Sequence, residues 1–475
     1  MAGTLLAPAL LDDLEAIVGT SGLLTGADAE PYCQDWRLLY RGRTPAVVRP
    51  ASTEQLAAVV TLCCARRVPM VPQGGNTSMV GGAVPSEDGT QLVISLARMN
   101  RVRDLDPLDM TMVVEAGVPW KTAQDAAAAQ DCLLPLSISS EGTAQVGGIL
   151  STNAGGNNTL RYGNARDLVL GIEAVLPNGQ VLSALRRLRK DNTGYALRHL
   201  LVGAEGTLGI ITAAVLKLGP RPTQTEVALC AVASPEAATA LLRQFQRHDA
   251  AAVQAFEYMS GTGMGFVLRH IPGATLPLAD PAPHYVLVEL ATTRQDARLR
   301  ESLETVLEVA LESGLIADAA IAESEAQRQA IWKLREEHAE AQRREGANVK
   351  NDVSVPISRV PDLIARATEA CERLIPGVRP VPFGHLGDGN IHFNLEQPLD
   401  WSAADFLARG ADIMHAVAEV VRELGGSFSA EHGVGRLKPP MMEVWRGGAE
   451  LETMRRIKAA LDPLGLMNPG KLLPG

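Results

Sequence analysis

Two histidines stand seven residues apart across a short turn that contains glycine. They are His385 and His392, and the turn between them is Gly387-Asp388-Gly389. Glycine and aspartate favour a reversal of the chain, so both imidazoles can converge on one point. A lone histidine is more often a core or surface group, and even the pair leaves a structural interpretation open. A third candidate ligand, Glu431, favours a metal site.

Two imidazoles and one carboxylate form a donor set that leaves coordination positions open. Three protein ligands with a vacant position are typical of catalytic zinc sites. The same donors accept manganese, cobalt or ferrous iron, so we expect a divalent metal, with zinc as the first choice. His432 follows Glu431 directly, and an imidazole can accept a proton near neutral pH, which suits a general base at the edge of the metal. Without the 385/392 pair, Glu431 and His432 would fit an exposed polar turn.

Three glycine-rich segments allow the backbone to approach a large ligand. They cover residues 72–78, 147–156 and 203–210. The first follows a predicted strand, where backbone N–H groups can face a pyrophosphate. An isolated Gly-Gly is more often a tight surface turn, but three segments together suit an extended dinucleotide. Since the sequence contains no G-x-G-x-x-G, the Rossmann mode of binding is not supported.

The elements that must position these residues alternate between helical and strand patterns, as in an α/β or α+β enzyme. In the first part of the chain we expect a helix from Ser52, which forms a capping box with Gln55. The hydrophobic pattern also predicts strands at 68–71, 92–96 and 110–115, and a hairpin over 170–182 that turns at Asn178-Gly179.

A second unit is expected after the stiff segment Gly219-Pro220-Arg221-Pro222. Its sheet should be covered by helices on one face. The predicted strands are 227–232, 285–290, 317–321, 379–383 and 390–394, and the predicted helices are 235–246, 294–313, 324–345 and 402–424. A last helix at about 440–462 precedes a tail, Asn468-Pro469-Gly470-Lys471, that we expect to return to the first unit.

Bulk composition restricts the classes of partner. The 475 residues, 46% of them hydrophobic, exceed what one core usually absorbs. A net charge of -10 argues against nucleic acid, so an anionic substrate must meet local positive charge or a metal. The six cysteines are scattered, without iron–sulfur spacing, and read as small core residues.

The composition also predicts where the protein works. No apolar run reaches about 18 residues, so we expect no membrane-spanning helix. The apolar segment 5–11 runs into Asp12 and Asp13, unlike a secretory leader. We therefore expect a cytoplasmic protein, with loose attachment to a membrane surface left open.

The glycine-rich segments resemble the vanillyl-alcohol-oxidase type of FAD-binding proteins over about 45–220. This resemblance implies an α+β fold, in which N-terminal helices and a PCMH-type FAD-binding domain occupy 1–220. A substrate (cap) domain with an antiparallel sheet and helices follows over 221–425, and a C-terminal helical segment, 426–475, completes the active site and packs on the FAD domain.

Some members of that group attach the flavin covalently to a histidine at the position of Asn76, so the resemblance implies non-covalent FAD here. The residues implied to contact FAD are Pro72, Gln73, Gly74, Gly75, Asn76, Thr77, Ser78, Ser139, Glu141, Gly142, Gly147, Gly148, Ser151, Thr152, Asn153, Gly155, Gly156, Glu205, Gly206, Gly209, Ile210 and Asn468.

Segments 384–394 and 430–435 and the Asn468-Pro469 tail extend the resemblance to FAD-linked D-lactate and D-2-hydroxyglutarate dehydrogenases. It implies that His385, His392 and Glu431 are metal ligands, that His432 is the base and that Asn394 contacts the substrate. The chemistry agrees, because a 2-hydroxy acid can chelate a cation through its carboxylate and hydroxyl, which lowers the hydroxyl pKa. A hydride then passes to the flavin.

Two further cations bear on the choice of acid. The resemblance implies that residues matching Arg335 and Lys350 bind the distal carboxylate of the substrate in the D-2-hydroxyglutarate branch. An isolated Arg or Lys, by contrast, is usually exposed to solvent. That branch carries a threonine where this chain has Ala339, and a lost hydrogen bond to a charged group costs about 1.5–3 kcal/mol. D-2-hydroxyglutarate is the expected substrate, followed by D-malate and then by D-lactate or another hydrophobic 2-hydroxy acid.

Other classes of function stay open. The chain could be a D-lactate or glycolate dehydrogenase, as the flavin subunit of an electron-transfer complex. A non-redox synthase or a lactone oxidase on the same fold would not need His385, His392 and Glu431 together. The sequence does not identify the electron acceptor, for which an electron-transfer flavoprotein and a quinone are the candidates, nor the oligomeric state, for which a homodimer is one option.

Overall fold

The computed structural model describes residues 8–474, which divide into two compact units. Unit 1 consists of residues 8–155, 163–221 and 431–474, and unit 2 of residues 156–162 and 222–430. Residues 1–7, which include part of the apolar segment 5–11, lie outside the described residues. Within the described range, no helix has both the length and the apolar character needed to cross a membrane.

Unit 1 combines short helices with two main sheets. Its α-helices are Pro8–Val18, Thr53–Arg66, Trp120–Ala128, Val146–Thr152, Ala165–Leu168, Arg198–Leu201, Pro439–Arg446 and Ala449–Leu461, and its 3-10 helices are Thr20–Gly22 and Gly26–Cys33. Its strands are Leu23–Leu24, Val47–Val48, Met70–Gln73, Leu92–Ser95, Val102–Asp106, Thr111–Glu115, Cys132–Leu133, Val169–Val175, Val181–Ala184, Ile210–Lys217 and Gly219–Pro220.

The smaller of the two main sheets in unit 1 carries the first glycine-rich loop. Its central strand, Leu92–Ser95, pairs in parallel with Val47–Val48 on one side and with Met70–Gln73 on the other. Strand 92–95 is buried at every position, as expected when both faces of a parallel strand are covered. The preceding helix, Thr53–Arg66, begins at Ser52, whose hydroxyl accepts the Gln55 N–H at 3.2 Å, so the predicted helix start is confirmed.

The larger sheet of unit 1 is antiparallel and contains the predicted hairpin. Its strand order is 102–106, 111–115, 210–217, 169–175 and 181–184. The hairpin turns at Asn178-Gly179, where the Gly179 N–H donates to the Leu176 carbonyl at 2.8 Å. Gly179 has a φ of +84°, and a Cβ there would lie 2.0 Å from the Thr61 Oγ1. Glycine is therefore required at this turn.

Unit 2 is built from longer elements. Its α-helices are Thr159–Tyr162, Pro235–Asp249, Gly261–His270, Leu299–Glu312, Glu325–Glu336, His338–Glu345, Val360–Leu374, Ala403–Ala408 and Gly410–Glu423, and its 3-10 helices are Ile357–Arg359 and Leu386–Asp388. Its strands are Gln224–Val232, Val253–Ser260, His284–Thr292, Ile316–Ile321, Asn348–Val349, Asp352–Ser354, Arg379–Gly384 and Asn390–Glu396.

One eight-stranded sheet organises unit 2. Its strand order is 316–321, 224–232, 284–292, 253–260, 379–384, 390–396 and 348–349, and strand 352–354 also pairs with 390–396. Every pairing in this sheet is antiparallel. Strand Val253–Ser260 is buried at all eight positions, which places its side chains in the interior on both faces.

Three of the long predicted helices are interrupted. The predicted helix 440–462 is two helices separated by Gly447-Gly448, where Gly448 has a φ of +73° that a right-handed helix cannot adopt. The predicted helices 324–345 and 402–424 also break, at Glu337 and Arg409. Both residues have ψ near zero (1° and 4°), outside the helical range. These three continuous helices are corrections to the sequence prediction.

Candidate active site

The first glycine-rich loop of unit 1 begins where strand Met70–Gln73 ends. The Gln73 side chain donates to two backbone carbonyls, at 2.9 and 2.8 Å, and so fixes the start of the loop. A Cβ at Gly75 would lie 2.0 Å from the Thr143 carbonyl oxygen, so this approach requires glycine. The loop therefore lies directly against the residues that lead into the second glycine-rich segment.

Asn76 lies in this loop with a φ of +54°. Its side-chain N–H donates to the Gln34 carbonyl at 2.7 Å. Its Oδ1 is buried and has no hydrogen-bond partner among the described residues. A buried acceptor of this kind costs free energy unless a ligand or water satisfies it. The loop thus contains a polar group that a bound molecule can pair.

The second glycine-rich segment forms helix Val146–Thr152 and its C-terminal cap. Gly147 packs against Ala116, where a Cβ would come within 2.8 Å of the alanine Cβ. Gly148 and Gly142 face open space, since a Cβ at either position would meet no atom within 4 Å. Asn153 ends the helix with a φ of +52° and accepts the Arg166 N–H at 2.9 Å. The segment combines tight packing on one side with room for a ligand on the other.

The third glycine-rich segment contacts the other two. The Glu205 N–H donates to the Ser151 carbonyl at 2.8 Å, and Gly206, with a φ of +70°, approaches the ring of Pro72. Three segments that are separated by more than 40 residues in sequence are thus brought together in unit 1. The exception among the implied FAD contacts is Gly156, which is the first residue of unit 2.

Glu205 fixes the last segment of unit 1. Its carboxylate is buried and accepts the N–H groups of Val434 and Gly435, both at 2.7 Å. Burial raises the pKa of this carboxyl, while the two backbone N–H groups oppose that shift. A Cβ at Gly433 would lie 2.7 Å from a Glu205 oxygen. Since Glu431 and His432 directly precede this anchored stretch, Glu205 restrains the chain that carries both.

Asn468 ties the C-terminal tail to the same loops. Its Nδ2 donates to the carbonyl of Glu205 at 2.7 Å and to that of Gly82 at 3.2 Å. Its backbone N–H donates to the Met70 carbonyl at 2.8 Å, and its Oδ1 is buried without a partner among the described residues. Asn468 adopts a φ of +46°, which asparagine tolerates better than most residues. The tail therefore packs on the glycine-rich loops within unit 1.

In unit 2 the two candidate histidines flank a tight hairpin. His385 follows strand Arg379–Gly384, and His392 lies on strand Asn390–Glu396, opposite Phe383. The turn depends on Gly389, whose φ is +85° and where a Cβ would lie 2.1 Å from a backbone oxygen. The two imidazole centroids are 5.8 Å apart, and one ring nitrogen of each lies within 4.8 Å of the other. That separation lets both nitrogens bind one cation.

The buried carboxylate of Glu257 forms a hydrogen bond with His385. Glu257 accepts from the His385 Nδ1 with one oxygen at 2.9 Å and from the Arg335 Nε with the other at 2.8 Å. Burial by itself would raise the pKa of Glu257, but His385 and Arg335 lower it to about 2. Glu257 is therefore ionised at neutral pH. Because the His385 Nδ1 faces this carboxylate, the Nε2 is the ring nitrogen that could hold a metal ion.

Phe383 lies at the centre of a layer of rings and a cation. Its ring centroid is 5.0 Å from that of His338 and 5.1 Å from that of His392, and the Arg335 guanidinium lies 5.1 Å from it. Burial and then the Arg335 charge lower the pKa of His338 to about 3. His338 is therefore neutral. Its Nδ1 donates to the Leu334 carbonyl at 2.8 Å, which leaves the Nε2 as a buried acceptor without a partner among the described residues.

Glu431 follows the last residue of unit 2. That residue, Ala430, donates its N–H to the Asp352 carbonyl at 3.3 Å, and Asp352 lies opposite His392 in the sheet. The Asp352 side chain accepts the Asn390 amide at 3.0 Å and lies 3.7 Å from the His392 Nδ1.

The three implied substrate contacts all lie in unit 2. Asn394 is buried, donates to Gln342 at 2.9 Å and accepts the Asn351 N–H at 3.2 Å. Arg335 is also buried and uses its Nε on Glu257, whereas Lys350 is partly exposed. Among the residues that the structure describes, none accepts a hydrogen bond from the Arg335 Nη1 or Nη2. The outer edge of the guanidinium can therefore bind an anion.

Four residues around the histidine pair were not predicted as site residues from the sequence, namely Glu257, His338, Asp352 and Phe383. A signal for Glu257 exists in the sequence, because it interrupts an otherwise apolar strand pattern, Ala255-Phe256-Glu257-Tyr258-Met259. A glutamate is almost never fully buried unless it is paired. Its partners could not be read from the pattern, since His385 lies 128 residues away.

Comparisons with known proteins agree with this arrangement of segments. Residues 221–472 match the C-terminal domain of FAD linked oxidases, and residues 44–184 match an FAD binding domain. A D-2-hydroxyglutarate dehydrogenase of Xanthomonas citri pv. viticola is 37% identical over 94% of this chain and 93% of its own. The mitochondrial D-2-hydroxyglutarate dehydrogenase of Bos taurus is 36% identical over 97% of this chain and 82% of its own.

One further relative and two solved structures are also similar to this chain, and the structures bear on the fold alone. A putative mitochondrial D-lactate dehydrogenase of Schizosaccharomyces pombe is still 34% identical over 96% of this chain and 88% of its own. Among solved structures, a p-cresol methylhydroxylase with substrate bound has a TM-score of 0.76 at 17% identity, covering 98% of this chain and 96% of that one. A 4-ethylphenol oxidase has a TM-score of 0.71 at 19% identity, with 98% and 97% covered. The expected α+β fold of the vanillyl-alcohol-oxidase type is confirmed.

The amide of Asn468 provides a test of how the tail supports the loops. Asn468→Asp keeps the shape and the tolerance for positive φ but replaces the donor with an anion facing two carbonyls. We expect a loss of about 1–3 kcal/mol in stability and weaker FAD retention, measured by thermal unfolding and by flavin release on dilution. Asn178→Asp, in an exposed turn of the same unit, is the matched control. Equal behaviour of the two variants would contradict the assigned role.

Proposed function

The chain belongs to the family of FAD linked oxidases, and from that premise we propose that it oxidises a D-2-hydroxy acid to the 2-oxo acid, with FAD and a divalent cation as cofactors. The observation that carries the metal-assisted part is the pair of imidazoles in unit 2, whose ring nitrogens approach within 4.8 Å. Relatives named D-2-hydroxyglutarate dehydrogenase support the substrate class.

The loops of unit 1 fit a non-covalently held flavin dinucleotide. Gly142 and Gly148 leave open space beside the first loop, and Asn76 offers a buried acceptor without a protein partner among the described residues. An amide has no ring nitrogen that could form the covalent bond that histidine makes in some related proteins. FAD, when bound, supplies the acceptor for the hydride that leaves C2 of the substrate.

The donor set in the histidine cluster fits a divalent cation. His385 and His392 supply two imidazole nitrogens, and we propose Glu431 as the third ligand because the chain places it one residue beyond Ala430. Two nitrogens and one carboxylate are typical of catalytic zinc, although manganese, cobalt and ferrous iron accept the same ligands. The cation, when bound, lowers the pKa of a coordinated substrate hydroxyl.

The remaining roles, proton removal and substrate binding, are assigned to protein side chains. We assign proton removal from the substrate hydroxyl to His432, because an imidazole is the side chain most often used as a general base. The Arg335 guanidinium has its outer edge available for a carboxylate, and Lys350 adds a second positive charge. Asn394 lies on the same strand as His392 and completes the assigned substrate contacts. An Arg and a Lys together favour a dicarboxylate, so we propose D-2-hydroxyglutarate first and D-malate second.

A second candidate is D-lactate or glycolate oxidation, within an electron-transfer complex. Ala339 favours it, because this exposed position carries only a methyl group where the D-2-hydroxyglutarate branch is expected to have a hydroxyl. The relative named as a putative D-lactate dehydrogenase also supports it. For either candidate we propose an electron-transfer flavoprotein or a quinone as the electron acceptor, a homodimer as the assembly and the cytoplasm as the location.

Flavin bleaching tests the cofactor, the metal and the substrate class in one experiment. Under anaerobic conditions we expect D-2-hydroxyglutarate or D-malate to bleach the flavin absorbance, because hydride transfer reduces it. Treatment with EDTA should abolish the bleaching, because the substrate hydroxyl then loses its Lewis acid. Addition of zinc should restore the bleaching. L-2-Hydroxy acids are the control. Bleaching that persists after chelation, or that only sugars or lactones produce, would refute the metal-assisted mechanism.

His432→Ala separates the base from the metal ligands. We expect the variant to remain yellow and to retain metal, because neither the FAD loops nor the three ligands change. The rate of flavin reduction, measured by stopped flow, should fall by about 10²–10⁴-fold, the usual contribution of a general base. His248→Ala, an exposed histidine at the end of a helix in unit 2, is the control. A reduction rate equal to wild type would remove His432 from this role.

Lys350→Met tests the recognition of a distal carboxylate. Methionine keeps a long unbranched side chain and removes the charge. We expect the KM for D-2-hydroxyglutarate to rise about tenfold or more, as a lost charged contact costs about 1.5–3 kcal/mol. The KM for D-lactate should hardly change, because lactate has no distal carboxylate. Lys190→Met, at an exposed position in unit 1, is the control, and equal effects on both acids would argue against a dicarboxylate substrate.

A further inference from the structure

We propose that Glu257 is a positioning residue that fixes the metal ligand His385 and the substrate cation Arg335 at the same time. The inference rests on the proposed metal-assisted function and adds to it a residue that the ligand set does not include. Its basis is one carboxylate with two partners: one oxygen lies 2.9 Å from the His385 Nδ1 and the other 2.8 Å from the Arg335 Nε.

The contact with His385 sets the tautomer of that ring. The Glu257 oxygen lies 2.9 Å from the Nδ1, so this contact fixes the orientation of the ring and favours the tautomer with a proton on Nδ1. The Nε2 lies on the opposite side of the ring and is the nitrogen that could hold the cation. A carboxylate behind a metal-bound histidine also makes the imidazole a more basic ligand. Glu257 thus prepares His385 for the metal without contacting the metal itself.

The sheet holds Glu257 in place for this task. The side chain is 1% exposed and lies on strand Val253–Ser260, which pairs with strand Arg379–Gly384. The register places Tyr258 opposite Gly384, and His385 is the next residue. Glu257 therefore cannot move relative to His385 without disturbing the backbone pairing of two central strands. That rigidity is what a positioning residue requires.

The contact with Arg335 orients the guanidinium. The Nε is occupied by Glu257, and the planar group lies 5.1 Å from the Phe383 ring centroid. The orientation of the guanidinium is therefore fixed by the hydrogen bond at its Nε edge and by the Phe383 ring at one face. The edge formed by Nη1 and Nη2 can bind a substrate carboxylate. Because the same carboxylate anchors both groups, removing it should loosen the metal ligand and the substrate cation together.

Glu257→Gln is the first test. Glutamine replaces one carboxylate oxygen by an NH2 group, so it can no longer offer a separate acceptor to the His385 Nδ1 and to the Arg335 Nε. We expect zinc affinity, measured by chelator competition on the purified holoenzyme, to weaken by about 10–100-fold, or the KM for D-2-hydroxyglutarate to rise by a similar factor. Glu289→Gln is the matched control, since Glu289 is a buried glutamate of the neighbouring strand that binds Trp332 and Gln254 and no histidine.

A second pair of variants isolates the histidine contact. Arg335→Leu and the double variant Glu257→Leu/Arg335→Leu both lack the guanidinium, but only the double variant lacks the acceptor for His385. Replacement of a whole buried ion pair by apolar residues is often tolerated, so the double variant should fold. We expect the double variant to bind zinc about 10–100-fold more weakly than Arg335→Leu, because only the single variant keeps the acceptor for His385. Thermal unfolding of each apoprotein monitors the fold independently.

The outcomes separate the two levels of inference. If wild-type protein binds zinc and Glu257→Gln matches it in both zinc affinity and KM, the positioning role is overturned and the metal site stands. The same holds if zinc affinity is equal in Arg335→Leu and the double variant. If wild-type protein binds no divalent metal with a 1:1 stoichiometry, the metal-assisted function fails, and the role of Glu257 fails with it.

Discussion

The sheet of unit 2 encloses a charged carboxylate that it cannot expose to water. Glu257 lies at the centre of a strand that is buried on both faces, and its side chain is 1% exposed. Removing an ion from water costs several kcal/mol in a protein interior, even after relaxation. Hydrogen bonds from two partners, the Arg335 guanidinium and the His385 imidazole, offset that cost. The positions of Arg335 and His385 follow from this requirement, and with them the geometry of the histidine pair.

Glycine supplies the second condition for the site, because the chain must reverse within a few residues. Gly384 has a φ of +149°, and a Cβ there would lie 2.7 Å from the Asn390 carbonyl oxygen. Gly389 is equally restricted by Val355. In unit 1 the corresponding constraint is electrostatic: the Glu205 carboxylate accepts two consecutive backbone N–H groups just beyond His432. Each unit thus restrains its own candidate residues by a different physical means.

Much of this arrangement could be predicted from the sequence, because the signals were local. The hairpin between His385 and His392, the turn at Asn178-Gly179 and the helix start at Ser52 each depend on residues within about ten positions. The break at Glu337 has no proline or glycine beside it, so hydrophobic periodicity ran through it. The partners of Glu257 depend on strand register across 128 residues, which no short pattern encodes.

The charges near Lys350 bear on how the site would discriminate among acids. Glu396 is buried, and burial raises its pKa to about 8, although Arg379 and Lys350 act to lower it. At neutral pH this carboxyl is therefore mostly protonated. The substrate contacts that we propose for Lys350 and Arg335 would favour dicarboxylates as a class. Ala339 offers no hydroxyl to fix the distance of the second carboxylate, so chain length should be selected only weakly, and acids of four and five carbons should compete for one site.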